Sequence, residues 1–83
     1  MEKHTTSQQR ERLLEHLKSV GSATTTEIRH SLDILAPAAR IFELRHYQNI
    51  NIARTWEVTH NPGGTEHKVA RYVYLSGKYR EVA

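Results

Sequence analysis

The stretch LAPAARIFELRH, residues Leu35 to His46, decides the fold because it reads as a single helix. Pro37 suits the first helical position, where a backbone N–H has no partner within the helix. Ala38, Ile41 and Leu44 share one side of the helical wheel and predict a stripe that faces the core. The opposite side carries small and hydrogen-bonding residues: Ala39, Glu43 and His46, flanked by Arg40 and Tyr47. The neighbours of this helix in the chain must decide what its polar side contacts.

Two further helical patterns precede this stretch. The first is predicted over 8–20, with Ser7 as its N-cap. Its apolar residues recur at helical spacing: Leu13, Leu14, Leu17 and Val20. The second is predicted over 25–31, because Thr24 stands three residues before Glu27 in a capping-box pattern. Together with a third helix over 37–48, these elements form the three-helix skeleton of a helix-turn-helix domain.

After the third helix the apolar period changes from 3.6 residues to 2. The alternation predicts a half-buried strand, and its apolar members are Ile50, Ile52, Trp56 and Val58. Asn61-Pro62-Gly63-Gly64 is a strong turn signal, and a second strand follows over about 67–75. The two strands predict a β-hairpin.

Two registers of this hairpin fit the sequence. A four-residue loop, 61–64, pairs Trp56 with Val69 and sets Arg54 opposite Arg71, which is repulsive unless an anion lies between them. A five-residue loop, 61–65, shifts the second strand by one residue and pairs Trp56 with Ala70. Both registers are expected to bury the same residues of the first strand: Ile50, Ile52 and Trp56.

Composition narrows the class of protein. The 83 residues suffice for one domain, and 12 Lys and Arg against 9 Asp and Glu give a net charge of +3, which is compatible with nucleic acid. Cysteine is absent, and no apolar run approaches the roughly 18–20 residues of a membrane span. The N-terminus lacks the apolar core of a signal peptide. We therefore expect a soluble, cytoplasmic protein that does not contact membrane.

Catalysis and metal binding find no support in the sequence. The six histidines are scattered: His4, His16, His30, His46, His60 and His67. They form no HExxH pattern and no cluster with carboxylates, so no metal site or other cofactor is expected. No set of nucleophile, base and orienting group can be recognised, and we expect that the protein is not an enzyme.

Three helices followed by a hairpin give an α+β fold, the winged helix-turn-helix, with the hairpin as the wing. Four segments of the chain together resemble a family of short helix-turn-helix proteins encoded in phages and prophages. They are the motif PAARIFELR from Pro37 to Arg45, the pair Ile50 and Ile52, the later VARYVYL and the leading QRERLLEHL. The resemblance covers about residues 8–75. In that family a glycine commonly ends the third helix, whereas this chain has Gln48, so Asn49 is expected to take the left-handed cap.

The resemblance implies a DNA-binding winged helix in a bacterial host cell, either a transcription regulator or an excision-type factor. Residues 1–6 are polar and lack periodicity, so we expect a flexible N-terminus there, followed by a winged-helix domain over 7–75 and a polar, charged C-terminal tail over 76–83. One helix reads only a few base pairs, so a homodimer on double-stranded DNA is possible. The alternative function is a protein–protein interaction module, which would bind its partner through the third helix or the wing.

The third helix supplies the first candidate contacts. Arg40 could pair with guanine, and Ala36 and Ala39 are small enough to approach the bases and touch a thymine methyl group. Glu43 could accept from cytosine or instead orient Arg40 at i+3. His46 lies on the same side. The alternative is a solvated helix face with an Arg40–Glu43 pair. Arg45 lies near the apolar stripe, and we expect it to bridge to an acid on another helix.

The second helix and the wing supply the remaining candidates. Thr25, Thr26 and Arg29 could hold a phosphate, although the threonines could equally well only cap the helix. Candidate contacts of the wing are His60, His67 and Lys68, joined by Arg54 and Arg71 if the four-residue loop holds. Each of these could instead be an ordinary exposed charge. Trp56 and the four tyrosines could stack on bases, but their strand positions favour the core or the sheet surface.

Overall fold

Three helices and a three-stranded antiparallel sheet make up residues 5–80, the part of the chain that the structure, a computed structural model, describes. In chain order the elements are α1 (Thr6–Val20), β1 (Ser22–Thr24), α2 (Thr25–Ser31), α3 (Pro37–Gln48), β2 (Ile50–His60) and β3 (Glu66–Lys78). The predicted α+β fold with a hairpin after three helices is confirmed. The predicted flexible N-terminus falls mostly on residues 1–4, which lie outside the described residues, as do 81–83 of the predicted tail.

The first two helices begin with capping boxes. The predicted N-cap of α1, Ser7, is wrong, because Thr5 takes that position and the helix starts earlier. The Thr5 hydroxyl accepts from the Gln8 N–H at 3.2 Å, and the Gln8 side chain accepts from the Thr5 N–H at 3.4 Å. The predicted box of α2 is confirmed, with Thr24 and Glu27 bonded reciprocally at 3.1 and 2.8 Å. Each box satisfies two N–H groups that the first helical turn would leave without partners.

The third helix has the predicted bounds. Pro37 occupies its first turn, and Asn49 ends it in the left-handed conformation, with φ 56° and ψ 32°. The Asn49 N–H donates to the Leu44 carbonyl, so the last turn is closed as in a glycine cap. The expectation that Asn49 replaces the missing glycine is therefore confirmed.

A short strand ahead of α2 was not predicted. Ser22–Thr24 pairs with β3, which gives the sheet the order β1-β3-β2. Ala23 is fully buried, and the Gly21 carbonyl accepts from the Tyr74 N–H at 2.9 Å. Three residues are too few to show alternation, so the sequence pattern indicated only a connection.

The hairpin adopts the five-residue register. Trp56 lies opposite Ala70, and Arg54 lies opposite Tyr72. The Asn61 side chain explains this choice, because its Oδ1 accepts from the N–H groups of Gly63 and Thr65, both at 3.0 Å. These bonds hold the loop over Asn61–Thr65 and exclude the four-residue alternative.

The core lies between the helices and the inner face of the sheet. Its members are Leu13, Leu17, Ala23, Ile28, Ile34, Ile41, Leu44, Ile52, Ala70 and Tyr72. Two predictions about the core are wrong in part. Pro37 takes the buried place expected for Ala38, which is exposed. Trp56 is 59% exposed, because the long hairpin extends past the helices and only its inner end is covered. Ile50, at the start of β2, is only partly buried.

Candidate nucleic-acid interface

Arg40 and Glu43 turn toward α1 and do not lie on the exposed side of α3. The Arg40 Nε lies 2.9 Å from Glu43 Oε1, and its Nη2 donates to Oε2 at 3.0 Å. Arg10 of α1 donates to the same carboxylate at 3.0 Å. The side chains of Arg40 and Glu43 are only 15% and 16% exposed. The Arg40–Glu43 pair of the alternative interpretation is therefore present, but it is largely buried between two helices and not solvated.

The remaining donors of Arg40 also find partners on α1. Its Nη1 lies 3.3 Å from Gln9 Oε1 and 3.4 Å from the Thr6 hydroxyl. Guanine recognition needs the same donors in a bidentate arrangement, so these bonds would first have to break. Arg40 thus connects α3 to α1, and Glu43 is neutralised by two guanidinium groups.

Phe42 joins the exposed face of α3, which the sequence interpretation missed. Ala36 and Ala39 are exposed as expected, and Phe42 is 52% exposed between Ala39 and His46. The Phe42 and His46 rings lie 4.3 Å apart, and the His46 ring lies 5.3 Å from that of Tyr79. The spacing of three and four residues from Ala39 and His46 was the signal that could have revealed Phe42.

Arg45 has a structural role, as predicted, but a different partner. Its Nε and Nη2 donate to the Ile52 carbonyl at 3.0 and 2.7 Å, and its guanidinium lies 4.9 Å from the Tyr79 ring centroid. The expected partner was an acid on another helix. A backbone carbonyl at the inner end of β2 takes that place, which ties the helix to the start of the wing.

The candidate phosphate residues of α2 separate into two groups. The Thr25 hydroxyl donates to the Ala70 carbonyl at 3.3 Å and so joins α2 to β3. Thr26 and Arg29 are exposed. Thr25 is partly buried, so Thr26 and Arg29 are the more accessible of the three candidates.

A cleft of about 370 Å³ opens between the starts of α2 and α3 and the inner face of the hairpin. We call it the wing cleft, and the residues that line it are Thr25, Thr26, Arg29, Pro37, Ala38, Arg54, Trp56, Lys68, Val69, Ala70 and Tyr72. The Arg54 guanidinium lies 5.2 Å from the Trp56 ring centroid, within reach of a cation–π interaction. Three cations line the cleft, and among residues 5–80 no carboxylate lines it and none forms an ion pair with them. The sequence interpretation had placed Trp56 in the core, so the cleft was not foreseen.

Arg71 lies on the other face of the sheet. The four-residue loop would have set Arg54 opposite Arg71, but the five-residue register places them on alternate sides of the pleat. Arg71 hydrogen-bonds the Glu57 carboxylate and donates to the Ser22 hydroxyl at 2.9 Å. The hydrogen bond lowers the pKa of Glu57 below its ordinary value of 4.5 and raises that of Arg71.

Comparison with known protein families shows to which family the chain belongs. A family model described as a winged helix-turn-helix domain matches residues 8–76, most of the chain. The chain belongs to this family. Domains of this kind are typically DNA-binding and not enzymatic. No curated protein and no solved structure gives a significant match. Across residues 5–80, no helix is long and apolar enough to cross a membrane, and no group of three potential metal ligands comes together.

In this winged helix, α2 and α3 are the helix-turn-helix pair, and β2 and β3 form the wing. The wing tip carries the last two candidates. His60 lies 3.5 Å from the Glu66 carboxylate, and His67 lies 3.5 Å from the Asn61 amide nitrogen, all at exposed positions. The histidines lie on the loop end of the hairpin, whereas Arg54 and Lys68 line the wing cleft.

Proposed function

We propose that the protein binds double-stranded DNA, with α3 in the major groove and the wing on the neighbouring backbone or minor groove. The observation that carries this proposal is the wing cleft. Its three cations, Arg29, Arg54 and Lys68, form no ion pair with a carboxylate among residues 5–80, and they line the cleft together with Ala38 at the start of α3. Phosphate attraction supplies most non-specific affinity for DNA, and it requires cations that are not already neutralised by carboxylates.

The exposed side of α3 would contact the base edges. Ala36 and Ala39 leave room for close approach to the bases, and Phe42 offers apolar contact to a thymine methyl group. The His46 ring adds a hydrogen-bonding group next to Phe42. Glu43 would not repel the phosphates, because Arg10 and Arg40 compensate its charge.

Phosphate contacts would come from α2 and the wing. Thr26 and Arg29 are exposed at one side of the wing cleft, and Arg54 and Lys68 lie at the other. His60 and His67 would add contacts from the wing tip, where both are exposed. Thr25 would act through its bond to Ala70, which holds α2 in place.

The biological role proposed is that of a transcription regulator or excision-type factor of a phage or prophage, acting in the cytoplasm of a bacterial host. The likeness of the PAARIFELR motif to the phage and prophage proteins supports it. A single α3 reads only a few base pairs, so we propose two copies on paired half-sites.

The test is a salt titration of binding to a random-sequence duplex, followed by fluorescence anisotropy of the labelled DNA. We expect affinity to fall steeply between about 50 and 200 mM salt. Lys68→Ala should weaken binding to all sequences alike and reduce the logarithmic salt slope by about 1. Lys18→Ala, which removes an exposed lysine from α1, is the matched control and should bind as the wild type does. Failure to bind any duplex at low salt would overturn the proposal.

A second candidate function is a protein-interaction module, favoured by the exposed aromatic surface of α3. Phe42 and Tyr47 have ring centroids 6.1 Å apart, and Tyr47 is 69% exposed. Phe42→Ala separates the two functions. A DNA reader should lose discrimination between sequences, by about 1–3 kcal/mol at the contacted base pair. If the protein is an interaction module, the wild type and Phe42→Ala should bind DNA equally, or neither should bind it.

A further inference from the structure

The wing cleft combines cations, which a duplex backbone requires, with an exposed aromatic ring, which it does not. It holds three cations, and it also presents a largely exposed indole ring, that of Trp56. A duplex offers phosphates to such a surface but keeps the faces of its bases stacked inside the helix. An unpaired nucleotide offers both a phosphate and a free base face.

We propose that the wing cleft binds an unpaired nucleotide of DNA, with its base stacked on the Arg54–Trp56 pair and its phosphate held by Arg29 and Lys68. This inference deepens the proposed function and rests on it, since it assigns to the wing the end of a duplex or a single-stranded segment beside the bound site.

The geometry of the hairpin gives Trp56 its exposure. The five-residue register sets Trp56 opposite Ala70, whose methyl group covers little of the ring. The small side chain of Ala38 borders the cleft from α3. Larger residues at these two positions would fill the space above the indole. The open ring therefore follows from the register and from small neighbours on both sides.

Arg54 extends the stacking surface. Its guanidinium lies 5.2 Å from the Trp56 ring centroid, on the same face of β2 at i and i−2. Planar guanidinium groups and indole rings both stack on bases, and neither demands a particular base. The stacked pair would therefore accept any nucleotide, with its positive charge favouring the adjacent phosphate.

The size and charge of the cleft fit one nucleotide. Its volume of about 370 Å³ lies near the lower end of the roughly 300–1,000 Å³ typical of ligand sites. Arg29 and Lys68 stand on different elements, α2 and β3, and both line it. A ligand with an anionic group and a flat aromatic ring matches these walls.

Trp56 is the only tryptophan in the chain, so its fluorescence reports on this cleft alone. The experiment titrates the full chain with three probes: a twelve-residue oligothymidylate, a blunt random-sequence duplex, and the same duplex with a four-thymidine overhang. We expect oligothymidylate to quench Trp56. We also expect the overhang duplex to bind more tightly than the blunt one.

The variants Trp56→Leu and Trp56→Phe are compared by anisotropy of labelled probes. Trp56→Leu should weaken binding of oligothymidylate by roughly 5- to 140-fold, the range expected for loss of one stacked base. Trp56→Phe keeps a ring and should retain most of the affinity. Because position 56 is exposed, both variants should fold, which thermal unfolding checks.

The outcomes separate the two proposals. The inference is overturned if the blunt duplex binds as tightly as the overhang duplex and Trp56→Leu binds oligothymidylate as the wild type does. That result leaves the proposal of duplex binding intact. Quenching by oligothymidylate without any duplex binding supports the cleft and overturns the major-groove proposal. Binding of no probe at low salt overturns both.

Discussion

Two clusters of cations in this small domain have opposite surroundings. On the α1–α3 side, Arg10 and Arg40 converge on Glu43, and all three side chains are largely buried. In the wing cleft, Arg29, Arg54 and Lys68 lie beside an exposed indole, and no carboxylate of residues 5–80 lines the cleft. The first cluster has its charge balanced within the fold. The second leaves its charge for a partner.

The comparison teaches that residue type alone does not separate a structural arginine from a binding one. Arg40 lies on the proposed recognition helix, yet its donors are taken by Glu43 of the same helix and by Gln9 and Thr6 of α1. Arg54 lies on a strand in the middle of the wing, yet its charge is uncompensated by any carboxylate among residues 5–80. What separates a structural arginine from one available for binding is whether a carboxylate lies close enough to pair with its guanidinium group.

The largest expected effect comes from removing the cleft cations together. The triple variant Arg29→Ala, Arg54→Ala, Lys68→Ala should bind a random duplex roughly a hundred- to a thousand-fold more weakly near 0.1 M salt, because each neutralised phosphate contributes about tenfold there. Anisotropy measures this loss. Thermal unfolding should be nearly unchanged, since all three side chains are exposed. Equal losses of stability and affinity would contradict the division between the two clusters.

Removing the acid of the α1–α3 cluster should lower the stability of the fold and leave the affinity for DNA unchanged. Glu43→Ala leaves two guanidinium groups largely buried without their carboxylate, which we expect to cost about 1–3 kcal/mol of unfolding free energy. For a domain of this size the melting temperature would fall by about 4–20 °C. Circular dichroism melting measures it, and Glu11→Ala, an exposed acid on α1, is the control. At temperatures where the variant is folded, its affinity for DNA should match the wild type.

The elements of this fold could be predicted because their signals are local. Thr24 with Glu27 starts α2, Pro37 starts α3, and Asn49 ends it, and each acts on residues within one turn. The Asn61 loop was ambiguous because its length depends on which backbone groups one side chain accepts from. No periodicity in the sequence encodes that choice.

The site was harder to predict because its contacts are distant in sequence. Arg40 meets Gln9, and Glu43 meets Arg10, across about thirty residues, so the helical wheel of α3 could not show that this side was occupied. Trp56 has the alternation of a core residue, and its exposure depends on how far the wing extends beyond the helices. The helix positions Ala36, Ala39 and His46 needed no such information, and the structure leaves them at the surface.

A smaller effect is expected from Arg40 alone. Arg40→Ala should lower the unfolding free energy by about 1 kcal/mol, less than Glu43→Ala, because Glu43 keeps Arg10 as its partner. Discrimination between DNA sequences should not change, which competition with mismatched duplexes measures. If Arg40→Ala instead relaxed the preference for guanine at one position of the site, Arg40 would be a base-contacting residue.

The smallest effect concerns Glu57, a partly exposed acid that partners Arg71 on the face of the wing turned away from the cleft. Since the Arg71 hydrogen bond holds the pKa of folded Glu57 below 4.5, the pair stabilises the fold above that pH. The contribution is lost as the pH falls through the folded pKa. Wild type should therefore lose more melting temperature between about pH 6 and 3 than Glu57→Gln, with the difference appearing only below about 4.5. Parallel curves for the two proteins would mean that Arg71 gains nothing from its acid, and the wing would then carry a fourth cation available to DNA.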